Sequence, residues 1–245
     1  MKNTLEKQLL IPANLCDINS NLSIQGAFAL FMNLACEHGP EIDLGMESLM
    51  KKGMFWLTVK TRIHFYSFPK MLQPVSALSW PERPGRIRCN RYYQLVGDSG
   101  VLMDGKTEWA VIEMETGRFV KLLEIHPEEL EFNETTLLPE PFLRIDENFD
   151  DAKIIDTYKI RSTDIDLGKH LNNANYPRIF LGALSNDELS SLIITEAEIN
   201  FRAPCFEGEI LTVKKREGEG YYDLALIKEN GLLSATMRLS FDKKN

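Results

Sequence analysis

The sequence predicts an α+β fold made twice over, each half a long central helix wrapped by a curved antiparallel sheet. Three observations carry this. The run Ile24 to Cys36 is apolar nearly all round, which suits an enclosed helix rather than one lying on a surface. The segments after it alternate at period two and are joined by turn signals, the pattern of antiparallel strands. The order of extended segment, Asp-Ile loop, helix and about four strands then occurs a second time. A helix followed only by antiparallel strands is covered when the sheet curls over it.

In the first half, residues 8–16 read as extended and Ser23 as the cap of the helix that follows. Gly39-Pro40 is the expected helix end. Leu57, Val59, Thr61, Ile63 and Phe65 alternate with Thr58, Lys60, Arg62 and His64, as in a half-buried strand. Segments 75–80, 86–96 and 102–114 are further strands, with Gly97-Asp98-Ser99-Gly100 and Glu115-Thr116-Gly117-Arg118 as turns. Prolines and the acidic run Asp146 to Asp151 then suggest an exposed connector. The domains are therefore placed at 1–135 and 153–245, with 136–152 as connector.

The second half opens on an extended segment, 153–161, and a helix is expected over about 173–184, with Asn172 or Asn173 as cap and Pro177 in its first turn. Strand patterns follow at 196–203, 209–216, 221–228 and 233–241, the last two joined by the hairpin signal Asn230-Gly231. The two loops share letters: Asp17-Ile18-Asn19 stands where Asp164-Ile165-Asp166 stands, and at that spacing Ser23 falls on His170. The first copy thus reads as one that has lost its chemical groups.

Composition bounds the function. With 245 residues, 44% hydrophobic and 26% charged, the chain is ordinary for a globular protein. A net charge of -8 argues against nucleic acid as main partner. No apolar run is long enough to span a bilayer, and Met1 to Lys7 lacks the apolar core of a signal peptide. Cys16, Cys36, Cys89 and Cys205 are scattered without metal-ligand spacing, so they are expected to be reduced thiols in a cytoplasmic protein without a metal.

The chemistry concentrates in Ser162 to Tyr176, which holds Asp164, Asp166, His170, Asn172, Asn173 and Asn175. His170 titrates near neutral pH and can orient or deprotonate water. Asp166, in the same loop, can orient the ring or share the base role. Backbone N–H groups at the helix start suit a developing oxyanion. Cys205 has two readings, a nucleophile with His170 as its base or a small buried thiol. Glu207 and Asp164 are the other carboxylates within reach of the argument, and both read as surface acids. Arg83, Arg86, Arg88 and Arg91 form a basic cluster in an acidic chain, with Arg86 and Arg88 on one strand face.

A family resemblance is carried by Trp56-Leu57-Thr58, Phe68-Pro69-Lys70, Glu108-Trp109-Ala110-Val111-Ile112 with Thr116-Gly117-Arg118, and Asp166 to Tyr176. The chain resembles the acyl-acyl-carrier-protein thioesterases of plant and bacterial type, built from two hotdog domains in tandem. That family's loop reads Asp-x-Asn-x-His-x-Asn-Asn-x-x-Tyr, and here Gly168 stands at its first asparagine. Its catalytic glutamate precedes a cysteine or serine, and Pro204 stands there, before Cys205. The resemblance implies hydrolysis of fatty acyl thioesters on acyl carrier protein without metal or cofactor. It implies chemistry at Asp166, His170, Asn172 and Cys205, and an acyl tunnel lined by Phe28, Phe31, Met32 and Leu34. The basic cluster would then steer the acidic carrier, and a homodimer is compatible with this reading.

Overall fold

The computed structural model describes residues 3–243. The chain divides into two compact units, Met1–Glu140 and Pro141–Asn245. In the first, β1 (Leu5–Leu10) passes through a 3-10 turn at Ala13–Leu15 into α1 (Ile24–Glu41) and α2 (Met46–Lys51). Four strands follow: β2 (Met54–Phe65), β3 (Pro74–Pro81), β4 (Cys89–Gly97) and β5 (Gly100–Glu113). Their order is β1-β3-β4-β5-β2, with each neighbouring pair antiparallel.

Ser23 caps α1 by accepting the Gly26 amide at 3.0 Å. Ala27, Phe28, Leu30, Phe31 and Leu34 are buried along the helix. Phe31 stacks on Tyr93 of β4 with ring centroids 4.9 Å apart. The approach is close because β5 carries Gly105 there; a Cβ at that position would sit 2.4 Å from the Phe31 ring. Gly105→Ala is therefore expected to overpack the helix–sheet contact and lose about 1–3 kcal/mol in denaturant unfolding. A variant as stable as the wild type would show that the helix can shift freely. The helix outruns its expected stop, running through Pro40 to Glu41. Proline's missing N–H costs one bond in a final turn, and the Ile42 amide closes that turn on Gly39 and Pro40.

Strand β2 departs from simple alternation. A register shift between Thr58 and Lys60 resets the phase, so Thr58, Thr61, Ile63 and Phe65 are all buried. The strand expected from residue 86 begins only at Cys89, so Arg86 and Arg88 lie in a loop and not on a strand face.

In the second unit, β6 (Lys153–Lys159) leads through a 3-10 turn at Ser162–Asp164 to α3 (Tyr176–Gly182) and α4 (Asn186–Ser190). Strands β7 (Leu192–Phe201), β8 (Ile210–Gly218), β9 (Tyr221–Lys228) and β10 (Leu233–Lys243) complete it. The antiparallel order is β7-β10-β9-β8-β6. The helix here is shorter than the sequence predicts. Asn173–Asn175 form a separate 3-10 turn, and α3 covers seven residues. Ser185 starts a new helix by accepting the Glu188 amide at 3.1 Å, and this competing cap breaks the run.

The acidic residues of the connector, Asp146, Glu147, Asp150 and Asp151, are exposed, while its backbone and its apolar residues Ile145 and Phe149 are held against the protein. In the first unit, Lys106 donates to the Leu138 and Glu140 carbonyls, and Trp80 Nε1 to that of Thr135. In the second, Ile145 and Phe149 are buried with Ala225, while Lys214 donates to the Phe149 carbonyl and Arg216 to that of Asn148. The buried Lys106 and the half-buried Lys214 and Arg216 therefore satisfy backbone carbonyls that a solvated linker would leave to water.

The two loops repeat bond for bond, in a register different from the one their letters suggest. The Asp17 amide donates to Asn21 at 2.8 Å as Asp166 does to His170 at 3.0 Å, and Ser20 and Lys169 donate back to Asp17 and Asp166, each at 3.0 Å. Ser20 and Lys169 take φ values of 59° and 62°. Asp17 thus matches Asp166, Asn21 matches His170, and Ser23 matches Asn172 as helix cap. The first loop keeps the carboxylate and has an amide where the second has its imidazole.

Candidate active site

The loop between β6 and α3 is organised by Asp166. Its Oδ1 accepts the Gly168 amide at 2.8 Å, and an antiparallel bridge from Ile165 to Leu171 closes the loop at its base. The turn brings the side chains of residues 166 and 170 together. His170 Nδ1 lies 3.5 Å from Asp166 Oδ1, and each side chain is 27% exposed. A carboxylate beside Nδ1 orients the ring. The structure thus brings together the two groups on which the sequence argument rests.

Asp164 holds the loop from beneath. It is 2% exposed, not the surface acid expected. Its carboxylate accepts from the Tyr158 hydroxyl at 2.8 Å and the Arg161 amide at 2.9 Å, and pairs with Arg178. Its carbonyl accepts the Asn172 amide at 2.9 Å and Asn175 Nδ2 at 3.2 Å. Burial and the neighbouring Asp164 push the Tyr158 hydroxyl above its ordinary pKa, so it stays a donor to the carboxylate. The signal missed was spacing: Asp164 sits three residues after Arg161 and closes a capping box on it.

Asn172 is placed as a cap. Its Oδ1 accepts the Ala174 amide at 2.9 Å, and its carbonyl accepts the Asn175 amide at 2.8 Å. The helix-start amides expected to hold an oxyanion are therefore mostly engaged. Leu171 donates to Cys205, Asn172 to Asp164, and Ala174 and Asn175 to Asn172. Among the described residues, the Asn173 amide is the one in this stretch with no such bond.

Cys205 is fully buried. Its Sγ lies 2.7 Å from Ser234 Oγ, which itself donates to the Ala203 carbonyl at 3.0 Å. Burial pushes the Cys205 thiol above its ordinary pKa despite the Ser234 and Tyr176 hydroxyls, which favour the thiolate. Its backbone does the visible work, accepting the Leu171 amide at 2.7 Å and tying the loop to the end of β7. The nucleophile reading of Cys205 thus meets a neutral, enclosed thiol. Ser234, on a distant strand, had no local signal.

Pro204 and Glu207 are exposed. The better-placed acid on this turn is Glu209, which accepts the Phe206 amide at 2.9 Å and pairs with Lys228 at 3.1 Å. The basic cluster disperses. Arg88 pairs with Glu108 and Arg83 with Glu134, while Arg91 is buried at 8% exposure. Among the described residues no group of three or more His, Cys, Asp and Glu side chains is placed to hold a metal. No helix among them is long and apolar enough to cross a membrane.

Residues 2–129 match the family model described as the acyl-ACP thioesterase N-terminal domain, and residues 147–243 that of the C-terminal domain. The oleoyl-acyl carrier protein thioesterase 2, chloroplastic, of Arabidopsis thaliana is 22% identical over 215 residues, 79% of this chain. The matched part spans 58% of the length of that relative and of its paralogue, thioesterase 1. Among solved structures, an acyl-ACP thioesterase from Bacteroides thetaiotaomicron has a TM-score of 0.86 at 17% identity, covering 98% of both chains. The 12:0-ACP thioesterase from Umbellularia californica has a TM-score of 0.83 at 13% identity, covering 100% of this chain and 99% of its own. At these identities the likeness is one of fold, and the fold is the α+β tandem hotdog that the sequence predicts.

Proposed function

The chain belongs to the acyl-ACP thioesterase family, and from that premise we propose that it hydrolyses fatty acyl thioesters of acyl carrier protein, releasing the free fatty acid and the carrier thiol. The observation that carries the site is the contact of His170 Nδ1 with Asp166 Oδ1 in a loop fixed by its own backbone bonds. His170 Nε2 takes a proton from water as the water oxygen attacks the thioester carbonyl. Asp166 holds the ring and offsets its new charge. The oxyanion is met by the Asn173 amide, the donor left unengaged at the helix start. Collapse breaks the C–S bond, and the imidazolium returns its proton to the leaving thiolate. Asn172 serves by shaping the helix start, and Cys205 by anchoring the loop through its carbonyl.

Cys205→Ala is accordingly expected to keep most of its activity. Loss of turnover, with an acyl-enzyme trapped on the wild type, would instead establish the covalent route. The reading as a whole is tested by thiol release from a panel of acyl-carrier-protein thioesters beside the matching coenzyme A thioesters. Faster release from coenzyme A would make it an acyl-CoA thioesterase. Acyl binding with no thiol released would make it a binding protein. A cytoplasmic place in fatty acid biosynthesis is part of the proposal, supported by four free cysteines. Light scattering on the purified protein checks the homodimer.

A further inference from the structure

The two units share a second turn besides the loops that carry Asp17 and Asp166. In the first unit the Gln73 amide closes a turn on the Lys70 carbonyl at 3.0 Å, Gln73 Oε1 accepts the Lys70 amide at 2.8 Å, and the Leu72 amide donates to the Ile11 carbonyl at 2.9 Å. In the second, the Glu209 amide closes on the Phe206 carbonyl at 3.2 Å, the Glu209 carboxylate accepts the Phe206 amide at 2.9 Å, and the Gly208 amide donates to the Ile160 carbonyl at 3.0 Å. Leu72 therefore answers to Gly208, and the two take φ values of 63° and 85°. A turn of this kind favours glycine or asparagine at its third residue, because a Cβ crowds the backbone at positive φ. Leu72 keeps that strain without burying its side chain, which is 60% exposed. Packing within the unit does not account for a leucine there, and strain held at such a residue calls for a use outside the chain.

Leu72 is not alone. The Met71 amide donates to the Ser20 carbonyl at 2.8 Å and Asn21 bridges to Lys70, so the turn sits against the loop that carries Ile18. Leu10 precedes Ile11, which accepts the Leu72 amide. Ile18, Leu10 and Met71 are 75%, 55% and 40% exposed. Together with Leu72 they form an apolar corner of the first unit, and a cluster of this kind marks an interaction surface where scattered apolar residues do not. Two exposed charges flank it, Asp17 and Lys70. Asp17 Oδ1 accepts the Asn19 and Asn21 amides. Among the described residues neither charge is held in an ion pair.

We propose that this corner is the surface through which two copies of the chain pair. About a twofold axis the patch is self-complementary: the apolar side chains cover their counterparts, and the Asp17 carboxylate of each copy faces the Lys70 ammonium of the other. A lipid surface fits less well, because the patch sets one cation against one anion and the chain carries a net charge of -8. The proposal rests on the homodimer reading and adds where the contact lies. A dimer built elsewhere leaves that reading standing, and thioester hydrolysis is untouched by either outcome.

Sedimentation equilibrium of the full-length protein over a dilution series is the test. The wild type is expected to dimerise with a micromolar dissociation constant, as small interfaces do. Leu72→Gly and Ile18→Ser should each raise it at least about tenfold, because the side chain is lost from both copies. Lys70→Glu should raise it about threefold, the scale of exposed ion pairs. Leu123→Ser, at a leucine 69% exposed on the 3-10 turn Leu122–Glu124 outside this corner, should leave it unchanged. Leu72→Gly takes the residue that the second unit uses at this turn, so its thermal midpoint at low concentration should not fall. A fall would show that the leucine serves the folded monomer, and overturns the proposal. So does a chain that stays monomeric throughout the series, or a dimer indifferent to Leu72→Gly and Ile18→Ser. Flotation with phosphatidylcholine vesicles that depends on the same two side chains would make a lipid surface the occupant and overturns it as well.

Discussion

His170→Ala is expected to lower thioester hydrolysis at least about a hundredfold, the scale of a lost general acid or base. The variant removes the imidazole that takes the water proton in the proposed step, and leaves Asp166 without its neighbour. The loss should fall on kcat more than on KM, because the imidazole acts on the proton in flight rather than on the acyl chain. The first loop supplies the control. Asn21 stands where His170 stands, its carbonyl accepting the Asp17 amide as that of His170 accepts the Asp166 amide. His170→Asn should therefore keep the loop and the thermal midpoint while losing activity as fully as His170→Ala. An asparagine variant that still turns over near the wild-type rate would take the imidazole out of the reaction.

Asp164→Ala is expected to destabilise the protein by about 3 kcal/mol, the low end for removing one partner of a buried pair. Asp164 is buried, but its partner Arg178 keeps 48% exposure and returns to water at modest cost. The loss comes instead from the Arg161 amide and Tyr158 hydroxyl, which surrender their acceptor in a partly enclosed place. Asp164→Asn should lose less, since one acceptor oxygen remains. Denaturant midpoints with an unchanged slope are the measurement. Activity should fall with stability, because the Asp164 carbonyl also fixes Asn172 and Asn175 ahead of α3. An alanine variant with wild-type stability would mean that the loop is held from elsewhere.

Local chemistry made much of this molecule legible. The period-two segments became strands within a few residues, because alternation reports a sheet with one face covered. The Ser23 cap and the Gly97–Gly100 turn behave as their side chains dictate. The misreadings share a cause. Arg83, Arg86, Arg88 and Arg91 look alike as letters. Yet the strand starts at Cys89 and its pleat turns Arg91 inward while the others stay outside. Asp164 reads as polar surface because polarity is visible in a sequence and the partner that makes burial tolerable is not.

By itself the sequence determined the α+β class, the duplication, and the loop in which a carboxylate and an imidazole are neighbours, since each rests on spacing along the chain. Only the tertiary structure decided that Asp17 answers to Asp166, that Cys205 is sealed against Ser234 and that Arg91 is buried. Those outcomes depend on atoms brought together from distant strands, where burial sets the energy of a charge or a thiol more strongly than its neighbours in sequence do.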